Sequence, residues 1–390
     1  MQIHTSPMRI FYIKVFLEHL SLGLIIPIAT IWMLQKGLTL TEVGFLASLV
    51  FISQLVLEIP TGIIADKFNT KTSIVLGILL NAIGLGITAY SSTFYHFAIA
   101  AIFTGSAWAC LSGAEETYMF ESAKKDVSIT YKQALSRMSI FDEVSTVLGM
   151  FTSSLLIVLF GMQFVFINAS ILMFVAFLVV FVLLPNLKST SAHHVLFQSD
   201  QTTSNYQNIK GFLKRNTPSL FLMFAFAVMY ESGRLLWQPQ LLSIGFKIGQ
   251  LGVIYGILKI ITILGTFLDN RVTLSTRVSL LYGSVTLPIV FVLFGLPFKM
   301  LSLLGLAIYF FLETPLRIYQ SDYLNNLAPP NMRTTFLSTN SFVRNGFSAL
   351  FSVPLGIIGQ SSLLFGFGLL AILKLFASIY YAFYTIKSSR

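Results

Sequence analysis

Residues 57–71 read LEIPTGIIADKFNTK, and how this stretch is read decides the fold. An apolar run ends on Glu58 and Pro60, then Gly62; Asp66 and Lys67 come four and five residues later, and Lys71 closes the stretch. A glycine, an acid and two lysines crowded beside so apolar a run need an explanation from their surroundings.

Those surroundings are greasy. Of the 390 residues, 55% are hydrophobic and only 10% are charged, with a mean hydropathy of +0.80. Soluble domains carry about 25% charged residues, so this chain lacks the charge to cover itself for water and reads as an integral membrane protein. The 37 Phe and 15 Tyr suit lipid-facing and interfacial positions. The single cysteine, Cys110, excludes an intramolecular disulfide. The five histidines show no metal-like spacing, and the one adjacent pair, His193–His194, falls in a polar segment, so neither a metal nor another cofactor is expected. A net charge of +10 without a basic tail or domain gives no reason to expect nucleic acid.

A helix needs about 20 apolar residues to cross the hydrocarbon core. About twelve such segments can be marked, at 10–33, 42–63, 72–92, 95–119, 137–160, 162–184, 217–242, 248–268, 277–296, 299–322, 334–358 and 361–385. The first is long and has no small-residue cleavage site, so it reads as a retained helix. Residues 185–216 are rich in Ser, Thr, Asn and Gln without a period, which marks a linker. The expected organisation is therefore a bundle of six helices over 1–184, a cytoplasmic linker over 185–216 and a second bundle of six over 217–390. With the N-terminus inside, the inner loops and ends hold Arg9, Lys67, Lys71, Lys124, Lys125, Lys132, Arg137, Lys188, Lys210, Lys214, Arg215, Arg271, Arg277, Arg333, Lys387 and Arg390. The outer loops hold only Lys36, Lys247 and Lys299. This bias places both termini in the cytoplasm, and an odd number of spans would scramble it.

The opening stretch then falls at the cytoplasmic end of the second span. Gly62-Ile-Ile-Ala-Asp66 has a counterpart in Gly265-Thr-Phe-Leu-Asp269 at the end of the eighth, followed by Arg271. Matching loops at the second span of each six point to an internal repeat, and six-span repeats are a feature of secondary transporters.

With these residues in place, the chain resembles the major facilitator superfamily over nearly its whole length. The family's loop pattern after span two is G-x-x-x-D-R/K-x-G-R/K-R/K; Gly62, Asp66, Lys67 and Lys71 fill their places, Asn69 stands for the second glycine and Thr72 for a base. Asn tolerates the left-handed backbone of a tight turn. YLNNLAPPNMRTTFLS (323–338), Glu58-Ile-Pro60-Thr61-Gly62 and Ser112-Gly113-Ala114-Glu115-Glu116 resemble motifs of a bacterial, efflux-like branch. Span four (AIFTGSAWAC) lacks the Arg, and span five (DEVSTVLGMFTSS) the Gly-Pro, that drug–proton antiporters often carry. The resemblance implies an all-α membrane protein of twelve transmembrane helices in two six-helix pseudo-repeat bundles. It also implies a gating role for Glu58, Gly62, Asp66, Lys67, Lys71, Gly265, Asp269 and Arg333, with Asp66 pairing near Arg333 when the outside is open.

An ionisable side chain at the centre of a span costs about 2.5–3.5 kcal/mol on insertion scales and therefore faces a cavity or a partner. The first half carries Glu18, Glu58, Glu115, Glu116, Asp142 and Glu143 with Lys14 as its main base; the second carries Glu231 and Glu313 against Arg234, Lys259, Arg317, Arg344 and Lys374. Glu231–Arg234 and Glu313–Arg317 have helix-pair spacing and are candidates to neutralise one another. Glu115, Glu116, Asp142 and Glu143 lie near cytoplasmic ends, within reach of water or of Lys124, Lys125 and Arg137. Lys14 and Lys374 lie toward span ends, where lysines snorkel. Glu18, Lys259 and Arg344 lie near the midplane, and Lys14 stands four residues before Glu18.

Proton coupling is therefore expected at Glu18, with Glu115, Glu116 and Asp142 as further candidates. The substrate cavity is expected among Tyr230, Glu231, Arg234, Trp237, Gln238, Lys259, Glu313 and Arg344, although Tyr230, Trp237 and Gln238 also suit plain core packing. Nothing matches a phosphate-cradling G-x-x-x-x-G-K-S/T loop, and no nucleophile–base pair stands out, so neither an ATP-driven pump nor an enzyme is expected. The leading reading is a monomeric secondary transporter of the cytoplasmic membrane, partnered by lipid, protons and a small molecule. It exports a drug-like or amphipathic compound by alternating access. Proton-coupled uptake of a small, anionic nutrient is the runner-up, and a transport-dead membrane sensor the reading from another class.

Overall fold

The structure, a computed structural model, describes residues 7–67, 69–125, 131–186, 217, 221, 233–269, 276–327 and 333–388. Among them every regular element is a helix. Chain breakers and caps set most of the boundaries. Pro7 opens α1 (Pro7–Ile25), at a first helical position where its missing N–H is no loss. Pro27 lies in the turn before α2 (Ala29–Gln35), and the two helices meet at a 45° bend. α3 (Leu40–Lys67) begins at a reciprocal cap: Glu42 Oε2 accepts from the Thr39 backbone N–H at 2.7 Å, and the Glu42 N–H donates back to Thr39 Oγ1 at 3.2 Å.

α4 (Thr70–Tyr90) begins on Asn69. The left-handed turn expected at Asn69 is not formed; its backbone is extended, and its side-chain Oδ1 accepts from the Thr72 N–H at 2.7 Å. Capping the first turn of α4 satisfies a donor that a left-handed turn would leave unpaired. The fourth span is broken. α5 (Phe94–Leu111) stops at Ser112, Gly113 takes the left-handed backbone (φ 74°) that a side chain would strain, and α6 (Ala114–Lys125) restarts with Glu115 and Glu116 in its first turn. α7 (Tyr131–Phe160) and α8 (Met162–Leu183) follow. After them come α9 (Arg234–Ser243), α10 (Ile248–Asp269), α11 (Thr276–Gly295), α12 (Lys299–Leu327), α13 (Arg333–Ser361) and α14 (Leu363–Ser388).

Nine described helices are long and apolar enough to cross a membrane, ten if the bent α1–α2 pair counts as one span. That agrees with the expected all-α membrane fold. Of the two expected spans not in that count, 277–296 coincides with α11, whose last turns, Val285–Gly295, are apolar. The other, 217–242, lies largely outside the described residues.

The helices gather into two compact units. The first takes the described parts of Met1–Leu38, Leu49–His193 and Lys247–Gly256. Here α1 lies along α7 and α8, and α4 along α5 and α8. A Cβ at Gly23 would collide with the Thr146 carbonyl, and one at Gly149 with that of Leu20, so α1 and α7 cross backbone to backbone. Trp32 stacks on Phe166 and donates its Nε1–H to the Thr88 carbonyl at 2.9 Å, tying α2 to α8 and α4. The opening residues of α10 also belong here: the Val253 N–H donates to Ser154 Oγ at 2.9 Å.

The second unit takes the described parts of Thr39–Ser48, His194–Phe246 and Ile257–Arg390. Its core is aromatic, with Trp237, Phe291, Phe294, Tyr309, Phe310 and Phe367 packed edge-to-face or tilted. The first turns of α3 join it: Ser48 Oγ donates to the Ala349 carbonyl, and Thr41 Oγ1 lies 2.6 Å from Gln360 Oε1.

Candidate functional site

Among the described residues, a cluster of charged side chains forms in the first unit, where α1 meets α6 and α7. α1 shows two faces. Phe11, Lys14 and Glu18, spaced three and four apart, look toward α6; Phe11 stacks on Tyr118 there at 5.7 Å. Tyr12, His19 and Gly23, spaced seven and four apart, look toward α7. Tyr12 stacks on Phe141 at 5.3 Å and donates to the Ala134 carbonyl at 3.4 Å.

On the first face Lys14 is fully buried, at 0% exposed, and Glu18 is 7% exposed. The Lys14 ammonium pairs with two carboxylates at once, Glu18 one turn on and Glu115 in the first turn of α6. It reaches Glu115 as a hydrogen bond. Glu18 Oε2, buried, meets the same ammonium as an ion pair. The Phe11 ring lies 5.6 Å from Lys14 Nζ and closes the apolar side. On the second face His19 Nδ1 lies 2.6 Å from Asp142 Oδ1, and Thr146 Oγ1 donates to the same oxygen at 3.3 Å. The backbone crossing at Gly23 and Gly149 sits one to two turns further along each helix, which holds α1 and α7 close enough for that pair. The side chains of Glu115, His19 and Asp142 keep 28%, 29% and 36% of their surface exposed, whereas Lys14 is sealed.

Several sequence expectations change here. Lys14 does not snorkel; a buried ammonium between two carboxylates is better satisfied than one stretched toward a span end. Lys374 is likewise buried within the second unit. Where the sequence had Glu115 and Asp142 reaching water or Lys124, Lys125 and Arg137, the break at Gly113 aims Glu115 at Lys14 of α1, and the α1–α7 crossing brings His19 to Asp142. Glu116 is exposed and stays outside the cluster. His19 is a member of the cluster that metal-like spacing among the histidines does not single out. Its place beside Glu18, on the face of α1 that carries Tyr12 and Gly23, is the signal that points to it. Among the described residues no group of His, Cys, Asp and Glu is arranged to hold a metal.

The described members of the expected substrate set lie on four helices of the second unit, α9, α10, α12 and α13. Trp237 and Gln238 are buried on α9 beside Arg234, with Trp237 in the aromatic core, 5.1 Å from Tyr309. Tyr230 and Glu231 lie outside the described residues. Glu313 is buried on α12 while Arg317 is exposed, and no ion pair joins them, so the expected neutralisation along that helix is absent. Lys259 is half-buried on α10, and Arg344 is exposed on α13.

Of the loop residues, Glu58 is half-buried on α3. Next to it Thr61 donates to the Ala109 carbonyl at 3.0 Å, tying α3 to the end of α5. Gly62, Asp66 and Lys67 lie in α3, and Arg333 at the start of α13, with their side chains outside the described residues. Lys71 Nζ donates to the Phe181 carbonyl at 2.9 Å, in the last turn of α8 where a cation is favoured. Gly265 lets the α12 backbone approach at Phe311, and Asp269 accepts from the Tyr319 hydroxyl at 3.0 Å.

Apolar helices in two units, with a charge cluster buried within one of them, define a multi-pass membrane protein of the transporter class. Comparison with known proteins carries this further. The family model of the Major Facilitator Superfamily matches residues 11–353, and the chain belongs to that family. The uncharacterized MFS-type transporter YxaM of Bacillus subtilis (strain 168) is 23% identical over 364 residues, covering 91% of this chain and 90% of YxaM. The quinolone resistance protein NorA of Staphylococcus aureus is 32% identical over 71 residues, 18% of each chain. Among solved structures, the nucleoside transporter NupG superposes with a TM-score of 0.79 at 16% identity, covering 98% of this chain and 99% of that one. A POT family transporter in complex with a thioalcohol-conjugated peptide gives 0.76 at 12% identity, covering 98% and 96%. These likenesses are to transporters rather than to enzymes, and at such identities the structures speak for the fold alone.

Proposed function

We propose that this chain is a secondary active transporter that exports a small drug-like or amphipathic compound across the cytoplasmic membrane in exchange for protons. The observation that carries the reading is the cluster of Lys14, Glu18, Glu115, His19 and Asp142 in the first unit. Acids buried against a limited number of cations bind and release protons as their access to water changes. The local similarity to NorA supports export as the direction.

In this reading the chain works as a monomer in lipid, with both termini cytoplasmic. A bundle over 1–184 and a bundle over 217–390, linked by 185–216, alternate access to a cavity drawing on Arg234, Trp237, Gln238, Lys259, Glu313 and Arg344. The loop residues Glu58, Gly62, Asp66, Lys67 and Lys71, with Gly265, Asp269 and Arg333, act as latches. Proton-driven uptake of an anionic nutrient is the second reading; the exposed guanidinium of Arg344 near the start of a span favours it.

The test is flux of a compound panel in proteoliposomes with an imposed pH gradient. Efflux-type exchange of at least one amphipathic compound is expected, lost when the gradient is collapsed. Glu18→Gln is expected to abolish gradient-driven flux and to retain exchange of the same compound between the two sides. Flux indifferent to the gradient would sink proton coupling, and gradient-driven accumulation in the opposite direction would favour uptake.

A further inference from the structure

We propose that Glu313, beside the rings of Trp237, Tyr309 and Phe310, binds the positively charged group of the transported compound, so that the substrate class is an amphipathic organic cation. The claim deepens the export reading and rests on it for its role in transport.

Glu313 is 4% exposed on α12, and among the described residues neither an ion pair nor a hydrogen bond reaches its carboxylate. The described charges of the same unit are placed otherwise. Arg317 and Arg344 are exposed, and Lys299 lies over the Phe246 ring at 4.1 Å. Arg234, Lys259 and Lys374 have interactions of their own. Asp269 accepts from the Tyr319 hydroxyl. Burying an acid without a partner is costly, and a position that served packing alone would carry an apolar side chain.

The surroundings suit a cation with an apolar body. Tyr309, Phe310 and Glu313 are spaced three and four apart and share one face of α12. The Trp237 ring lies 5.1 Å from that of Tyr309 and 5.5 Å from that of Phe310, and Phe291 meets Tyr309 edge-on at 5.3 Å. Gln240, one turn after Trp237, donates to the Phe294 and Leu296 carbonyls at 2.9 Å and 3.0 Å, which fixes α9 against the end of α11. Ring faces attract cations, that of Trp most strongly, and more so out of water. A carboxylate one turn away supplies the opposite charge, and it repels an anion of the same size. Two more polar atoms belong to this place. Trp237 Nε1 and Thr314 Oγ1, the latter one turn after Phe310, are buried with no hydrogen-bond partner. Buried polar groups are normally paired, so these two are donors for an acceptor that the ligand brings.

Binding is measured without a gradient. Purified full-length chain in detergent is dialysed to equilibrium against radiolabelled methyltriphenylphosphonium, a permanent cation, and against triphenylphosphine oxide, a neutral molecule of similar size. With protein-free micelles as background, the native chain is expected to prefer the cation. Glu313→Gln is expected to weaken cation binding by about 30-fold or more and to leave the neutral compound unaffected. Trp237→Phe is expected to weaken cation binding roughly threefold. Equal affinity of the native chain for the two compounds would overturn the site, as would cation binding unchanged by Glu313→Gln. If Glu313→Gln does not fold, as judged by gel filtration, the native chain decides by its melting temperature. A rise with the cation and none with the neutral compound is expected, and no rise with the cation would overturn the site. Cation binding that depends on Glu313, in a chain without gradient-driven flux, would defeat the transport reading and leave the site standing. Gradient-driven flux with no preference for cations would do the reverse.

Discussion

Lys14 holds two carboxylates of the first unit, Glu18 and Glu115, against one ammonium. Its ammonium is sealed among Phe11, Glu18 and Glu115, so removing it leaves two carboxylates facing each other with no cation between them. Breaking a buried pair by deleting one partner typically costs about 3–5 kcal/mol. Lys14→Met is therefore expected to lower the melting temperature in detergent by fluorescence-detected gel filtration. Adding Glu18→Gln and Glu115→Gln to it is expected to recover most of the loss, because an uncharged cluster has nothing left to compensate. A Lys14→Met chain as stable as the native one would mean that the ammonium does not hold these acids. The Lys14–Glu18 half of the cluster could be read from residue spacing, since four residues along a helix is one turn. Glu115 and the His19–Asp142 pair could not: each is a contact between residues more than a hundred positions apart, and only packing sets it.

Among the elements, α1 and α7 set the geometry on which the second pair depends. Their approach at Gly23 and Gly149 leaves no room for a side chain: a Cβ on Gly149 would meet the Leu20 carbonyl and Gly23 itself. Gly149→Leu is expected to push the helices apart and destabilise the chain by roughly 1–3 kcal/mol through overpacking. Unchanged melting would show that the crossing is not a close backbone contact. The break between α5 and α6 acts in the same way on the other face. Gly113 was visible in the sequence as part of Ser112-Gly113-Ala114-Glu115-Glu116, but its left-handed backbone, which restarts the helix with Glu115 aimed at Lys14, was not. Asn69 illustrates the reverse. The family pattern suggested a turn residue, and the backbone instead uses its side chain to satisfy the first turn of α4.

At the scale of the whole molecule, the orientation proposed from the lysine and arginine bias can be tested directly. Cys110 is buried, so the native chain offers little background to a membrane-impermeant maleimide. Lys36→Cys and Lys247→Cys are expected to label in intact cells, and Lys387→Cys only after permeabilisation. The opposite pattern would invert the topology. The membrane class, the run of spans and the family were legible in the sequence, because they rest on composition and on local length. About 20 apolar residues suffice to cross the hydrocarbon core whatever surrounds them. The tertiary structure alone decided which charges meet. It seated Lys14 between Glu18 and Glu115, paired His19 with Asp142, left Glu313 apart from Arg317, and placed the first turns of α3 with the second unit and those of α10 with the first. The physical reason is that a buried charge is satisfied by whatever partner helix crossing brings near. Crossings are set by small residues and backbone breaks such as Gly23, Gly149 and Gly113, whose effect appears only when the helices are packed.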